Sequence, residues 1–201
     1  MIKPRGYDEV QGFQSSKRLP KGGYICEIKK IEEAKSKAGN DVLKVYLDIA
    51  EGEYQGIFME KWENTPLVAG KEKRWGMIST ILVFDTTTGE TNRNLKGFLT
   101  SVEESNPGFI VDKCWGDNFC KFFKGKVVGC VFGDEYFRGT DGELHASAKP
   151  RFYVSADKIK KGVFKIPADK YPPAESSSDN SFAAGFEGFT DVTGAQDECP
   201  F

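Results

Sequence analysis

Hydrophobic positions recur along this chain with two different periods, and the switches between them outline a fold. Behind Gly22-Gly23, Tyr24-Ile25-Cys26-Glu27-Ile28-Lys29-Lys30-Ile31 alternates with the period of a strand. Val42–Ile49 alternates more cleanly: Leu43, Val45, Leu47 and Ile49 share one side, and Val42, Lys44, Tyr46 and Asp48 the other. Between them Lys35-Ser36-Lys37-Ala38-Gly39-Asn40 reads as a charged turn, and Glu51-Gly52-Glu53 turns the chain into a third strand expected around Tyr54–Phe58. A helical period follows. Leu95, Phe98, Leu99 and Val102 stand at i, i+3, i+4 and i+7, with Asn94 as the expected N-cap and Pro107 beyond the end. Trp115, Phe119 and Phe122/Phe123 suggest a second short helix, and Met77–Phe84 fits a helix better than a strand because positions 77, 78, 81 and 82 are apolar.

Strand signals return at Lys126. Val127–Phe132 is continuously apolar, as a buried strand would be, and Gly133 is the expected site of a bulge. Arg138–Glu143 is a turn carrying the hairpin signal Asp141-Gly142. The returning strand, Leu144 to Ser155, should place Phe152 and Val154 inward and Lys149, Arg151 and Tyr153 outward, with Pro150 favouring a sheet edge. Three strands, a helical insertion and two strands make a mainly β fold, in the order of a five-stranded OB-fold barrel.

The pattern stops near residue 170. From Tyr171 the chain reads YPPAESSSDNSFAAGFEGFTDVTGAQDECPF, whose Pro, Ser, Gly and Asp content buries too little apolar surface to offset chain entropy. The expected organisation is therefore one domain over residues 1–170 and a disordered tail over 171–201. Charge sharpens this division. Of 30 acidic residues six lie in the tail, and none of the 28 basic ones does, so the body carries +4 beneath an overall charge of −2. No apolar run is long enough to span a bilayer and Met1–Val10 lacks a signal-peptide pattern, which points to the cytoplasm.

Candidate chemistry is sparse on the enzymatic side. The five cysteines form no C-x-x-C pair and His145 is the only histidine, so no metal site or cofactor is expected; Cys26 and Cys130 read as core residues. There is no G-x-x-x-x-G-K-[ST], H-E-x-x-H or G-x-S-x-G, and the adjacent pairs Glu103-Glu104 and Asp134-Glu135 point apart or solvate a helix face. No catalytic residue is assigned, although scattered carboxylates leave a metal-dependent nuclease as an alternative.

The outward positions suggest binding instead. Lys44 and Tyr46 share one outer face; Lys149, Arg151 and Tyr153 share another; Lys35 and Lys37 stand in the first turn, and Lys61-Trp62 and Arg74-Trp75 pair cations with rings. Single-stranded nucleic acid asks for such pairing, since cations track phosphates while aromatic rings stack on unpaired bases. A protein-interaction module without DNA binding is the other alternative.

Gln196-Asp197-Glu198-Cys199-Pro200-Phe201 sets acids before Pro-Phe and a terminal carboxylate. This end resembles the acidic tip of bacterial single-stranded DNA-binding proteins, with Cys199 at a position usually aliphatic and fewer consecutive acids. The body, through Lys21-Gly22-Gly23-Tyr24 and Ala148-Lys149-Pro150-Arg151-Phe152, is more similar to the single-stranded DNA-binding proteins of phages and prophages of Gram-positive bacteria. The resemblance implies an OB fold that coats single-stranded DNA without sequence specificity in replication, recombination and repair, in a host cytoplasm if phage-encoded. It also implies that Asp197, Glu198, Pro200 and Phe201 recruit replication or recombination proteins. Monomer and homo-oligomer are both left open.

Overall fold

The alternating segments assemble into one antiparallel sheet. The computed structural model describes Lys3, Arg5 and residues 18–67, 70 and 72–172. Its strands are β1 (Gly22–Lys35), β2 (Asp41–Ile49), β3 (Ile78–Leu82), β4 (Val127–Arg138) and β5 (Leu144–Val154), in the order β3-β2-β1-β4-β5. β1 is long because it pairs twice: Gly22–Glu27 with β4, and Cys26–Lys35 with β2. An irregularity between Ile28 and Lys30 keeps Ile28 and Ile31, three positions apart, both in the core.

The core lies on the face carrying Leu43, Val45 and Leu47 of β2, Cys26 and Ile28 of β1, and Val128, Cys130 and Phe132 of β4. Cys26 and Cys130 are fully buried free thiols, as the sequence suggested. Helix α2 (Arg93–Ser105) turns Leu95, Phe98, Leu99 and Val102 onto this face. Each such side chain contributes about 1.5–3 kcal/mol on burial. α2 lies between the third and fourth strands in chain order, as expected. Its N-cap is Asn92 rather than Asn94: the Asn92 side chain accepts the Asn94 N–H at 2.9 Å.

Several expectations are overturned. The third strand is not Tyr54–Phe58, which instead forms a turn and the start of helix α1 (Ile57–Asn64). Asp48 is the reason. It is 2% exposed rather than outward, and its carboxylate accepts the backbone N–H groups of Ile49, Phe58 and Met59, satisfying donors at the start of α1. The third strand is β3, within the segment read as a helix; it is short and paired on one side only, so its apolar residues fall on both faces. The short helix at Trp115–Phe123 is reduced to a 3₁₀ turn at Phe119–Phe123.

The ladder between β4 and β5 slips where Val131 faces Phe152 and Phe132 faces Pro150, leaving Arg151 as the extra residue. The bulge is thus on β5 rather than at Gly133, and it reverses the inside–outside parity beyond it. Tyr153 consequently lies on the Cys130 side, against the core, and Phe152 lies with Val131 on the other side. β5 is an edge strand, as Pro150 suggested.

The outer face of β1 and β4 is covered from the C-terminal side by helix α3 (Ala156–Lys160) and the residues after it. A Cβ at Gly23 would collide with the Phe164 ring, and one at Gly129 would lie 2.7 Å from Ile159, so both glycines are needed for close approach. Further on, the Tyr136 and Lys170 main chains bond at 3.0 Å, extending cover along β4.

No hydrogen-bonded ladder joins β3 to β5, so the sheet is open. No described helix is long and apolar enough to cross a membrane. Beyond Tyr171 and Pro172 the tail, including Asp197, Glu198, Pro200 and Phe201, lies outside the described residues.

Candidate nucleic-acid interface

The residues singled out in the sequence fall into three groups. The first gathers where β2 ends and β3 begins. Trp62 on α1 and Trp75 before β3 have ring centroids 6.4 Å apart, and the Lys73 ammonium stands 5.0 Å over the Trp62 ring. Lys73 is held there by the Trp62 and Glu63 carbonyls at 3.0 and 3.2 Å. Trp62 is 38% exposed, and Arg74, between Lys73 and Trp75 in the chain, is exposed as well. The two rings differ in role. Trp75 is half-buried, and its indole N–H donates to the Leu47 carbonyl at 2.8 Å, tying this segment to the end of β2.

The second group is the outer face of β1 and β2. Lys44 and Tyr46 share it as expected, opposite Glu32 and Lys30 respectively. The Tyr46 hydroxyl donates to Glu32 at 2.6 Å, Glu32 also pairs with Lys30, and the Lys30 ammonium lies 5.7 Å from the Tyr46 ring centroid. The bond to Glu32, with burial second, raises the Tyr46 phenol to about 12, while Lys30 and then Tyr46 hold Glu32 below the ordinary carboxylate range. Lys35, at the end of β1, is paired with Asp41 at 2.6 Å, and Lys37 is exposed on the following turn. Lys30 escaped the sequence reading because the irregularity in β1 sets its face.

The third group, on β5, departs most from expectation. Lys149 is exposed, but Arg151 is drawn in: its side chain is 17% exposed, and the guanidinium donates to the Asp134 carbonyl at 2.9 Å and approaches Glu135 at 3.9 Å. Tyr153 packs edge-on against Phe98, with centroids 4.8 Å apart, and burial raises its phenol well above the usual range. It is not free to stack on a base from outside.

Two cavities follow the gap between β3 and β5. One, of about 200 Å³, lies between Gly76-Met77 and Ala146–Ala148, with Arg18 and Lys61 in its wall. The other, of about 210 Å³, lies between Ser79–Leu82 and Pro150–Tyr153, closed at one side by Arg93, Asn94 and Gly97 of α2. A flat five-stranded sheet would hold its edges about 19 Å apart. Here both edges line the same cavities, so the sheet curls until they face one another.

A separate apolar cavity of about 300 Å³ is lined by Leu43, Val83, Phe84, Leu95, Trp115 and Phe119, with Glu33 and Asp41 at its edge. Trp115 stacks on Phe119 and is 60% exposed. The helical spacing of Trp115 with Phe119 gives no sign of this exposure in the sequence, because only Phe119–Phe123 of that segment is helical and Trp115 lies before it. Among the described residues, the one group able to bring three ligand atoms together is Asp141 and Glu143 of the β4–β5 turn with His145 at the start of β5, Asp141 and Glu143 being exposed. The Asp141 carboxylate already meets the His145 ring at 2.9 Å.

Comparison with protein-family models finds none that matches this chain, and comparison with curated proteins finds no match.

Proposed function

We propose that this chain binds single-stranded DNA without sequence specificity and without catalysis. The observation that carries the reading is the exposed Trp62 ring, with Lys73 held over one side of it, Lys61 next to it in the chain and Arg74 exposed next to Lys73. A ring among cations offers a base a stacking surface and its phosphates counter-charges, and neither depends on sequence. The strand order and the helix between the third and fourth strands support reading the sheet as an OB-type barrel left open between β3 and β5. The Pro-Phe end and the charge division support coating of exposed strands in phage-type replication, recombination and repair, with partner proteins recruited through Asp197, Glu198, Pro200 and Phe201.

Titration of the full chain with oligo-dT at several salt concentrations tests the reading. Binding should weaken steeply with salt and quench Trp fluorescence, and double-stranded DNA should bind less well. Absence of oligo-dT binding at low salt would overturn it.

A protein-interaction reading draws on the apolar cavity beside Trp115. The pair Lys61→Glu with Arg74→Glu separates the two: DNA binding should collapse, whereas an interaction module would keep whatever oligonucleotide binding it has. Cleavage of the oligonucleotide that needs Mg and stops with chelator would favour a nuclease.

A further inference from the structure

The gap between β3 and β5 is more than a missing ladder. Gly76-Met77 faces Ala146–Ala148 and Ser79–Leu82 faces Pro150–Tyr153, so residue numbers rise together and the two edges run parallel along one seam. Both strands are sheet edges.

The charged residues that line the seam are all cations. Arg18 and Lys61 line one cavity and Arg93 and Arg151 the other, and none of the described residues lining either is Asp or Glu. Arg93 and Lys61 form no ion pair among the described residues. Arg18 is paired with Asp134 at 2.6 Å but stays half-exposed, and Arg151 is turned toward Asp134 and Glu135 of β4. A groove of one sign with low-dielectric walls concentrates counter-charge.

Two residues of the second cavity's wall carry a polar atom without a partner, on the sides turned to β4 and to the core. Among the described residues, the buried side-chain nitrogens and oxygens without a hydrogen bond are Arg151 Nε and Tyr153 Oη, and both residues line the same cavity. Ser79 lies near the Tyr153 hydroxyl without completing a good hydrogen bond. The first turn of α2 opens on the same cavity with Arg93 and carries no acid.

We infer that the β3–β5 seam binds the sugar–phosphate backbone of a single strand, with Arg93 and Lys61 as its phosphate contacts. This rests on the DNA-binding reading and extends the site away from Trp62, the residue next to Lys61. Single-stranded DNA is favoured over an extended peptide because the described lining residues include cations and no acid to receive a peptide's basic side chains.

Gly97 permits a test that spares the fold. It lines the seam, and a Cβ there meets nothing within 4 Å. Gly97→Phe should fill the groove while leaving Tm unchanged or higher, because a helical glycine is being replaced. Oligo-dT affinity should fall at least tenfold. Arg93→Glu should lower affinity about tenfold and reduce the salt slope by roughly 0.7, the value for one phosphate contact on a single strand, and Arg93→Lys should restore most of it.

If the parent chain and Trp62→Ala differ in oligo-dT affinity while Gly97→Phe and Arg93→Glu match the parent in affinity and salt slope, the seam assignment fails and the function stands. If the parent chain does not bind oligo-dT, both fall. Protection of alternate β3 amides by an extended peptide, with the oligonucleotide unable to compete, would also overturn the seam assignment.

Discussion

The Tyr46 hydroxyl donates to the Glu32 carboxylate at 2.6 Å across the outer face of β1 and β2. Proton loss from Tyr46 would place two negative charges on one hydrogen bond, which is why the phenol rises to about 12. The linkage signs are opposite for the two partners. Tyr46 has its higher value in the fold, so its contribution to stability is complete below the ordinary phenol value and is lost as pH rises through about 12. Glu32 is lowered, so its contribution is complete above the ordinary carboxylate value and is lost as pH falls through its folded value. Glu32→Gln should return the Tyr46 titration toward 10, followed by NMR of labelled tyrosine rings. A titration that stays near 12 would assign the shift to burial.

Trp62 and Trp75 should separate in their effects. Trp62→Ala should cost roughly 1–3 kcal/mol in oligo-dT binding, the worth of one stacked base, with little change in unfolding. Trp75→Ala removes the bond to the Leu47 carbonyl and packing against the core, and should lower stability in urea denaturation by at least about 2 kcal/mol. Equal losses of stability in both variants would contradict this division.

Asp48 should be needed for folding rather than binding. Its carboxylate is buried and accepts three backbone N–H groups, two of them from α1. Asp48→Ala leaves those donors without partners and should cost at least about 2 kcal/mol in denaturant unfolding. An unchanged midpoint would show that water replaces the carboxylate.

These positions mark what the sequence discloses and where it stops. Leu43, Val45 and Leu47 were legible as core because an unbroken strand has a strict period of two, and the α2 stripe was legible for the same reason at the helical period. Asp48 was misplaced because its burial depends on α1 folding back onto it, a tertiary event that alternation cannot register. Tyr153 was misplaced by one extra residue, Arg151, which reverses every later side chain. Of the candidate site, Trp62, Lys44 and Tyr46 were found by type and parity. Arg93 was not, because nothing near it in the sequence indicates that β5 lies across from β3.

Gly23 offers a test of the C-terminal cover. Gly23→Ala drives a methyl group into the Phe164 ring and should cost about 1–3 kcal/mol by thermal or urea unfolding. Adding Phe164→Ala should make the double variant less destabilised than the two single losses summed. Strict additivity would show that the ring moves aside at no cost.

The open seam also has a timetable. One wall comes from residues before and within α2, and the other from β5, which is made only after β4. A chain emerging from the ribosome therefore carries Arg93 and Lys61 well before Arg151 and Tyr153 exist to face them. Its groove is completed by the last strand of the sheet, so under the proposed seam assignment a site for a strand would be complete only late in synthesis.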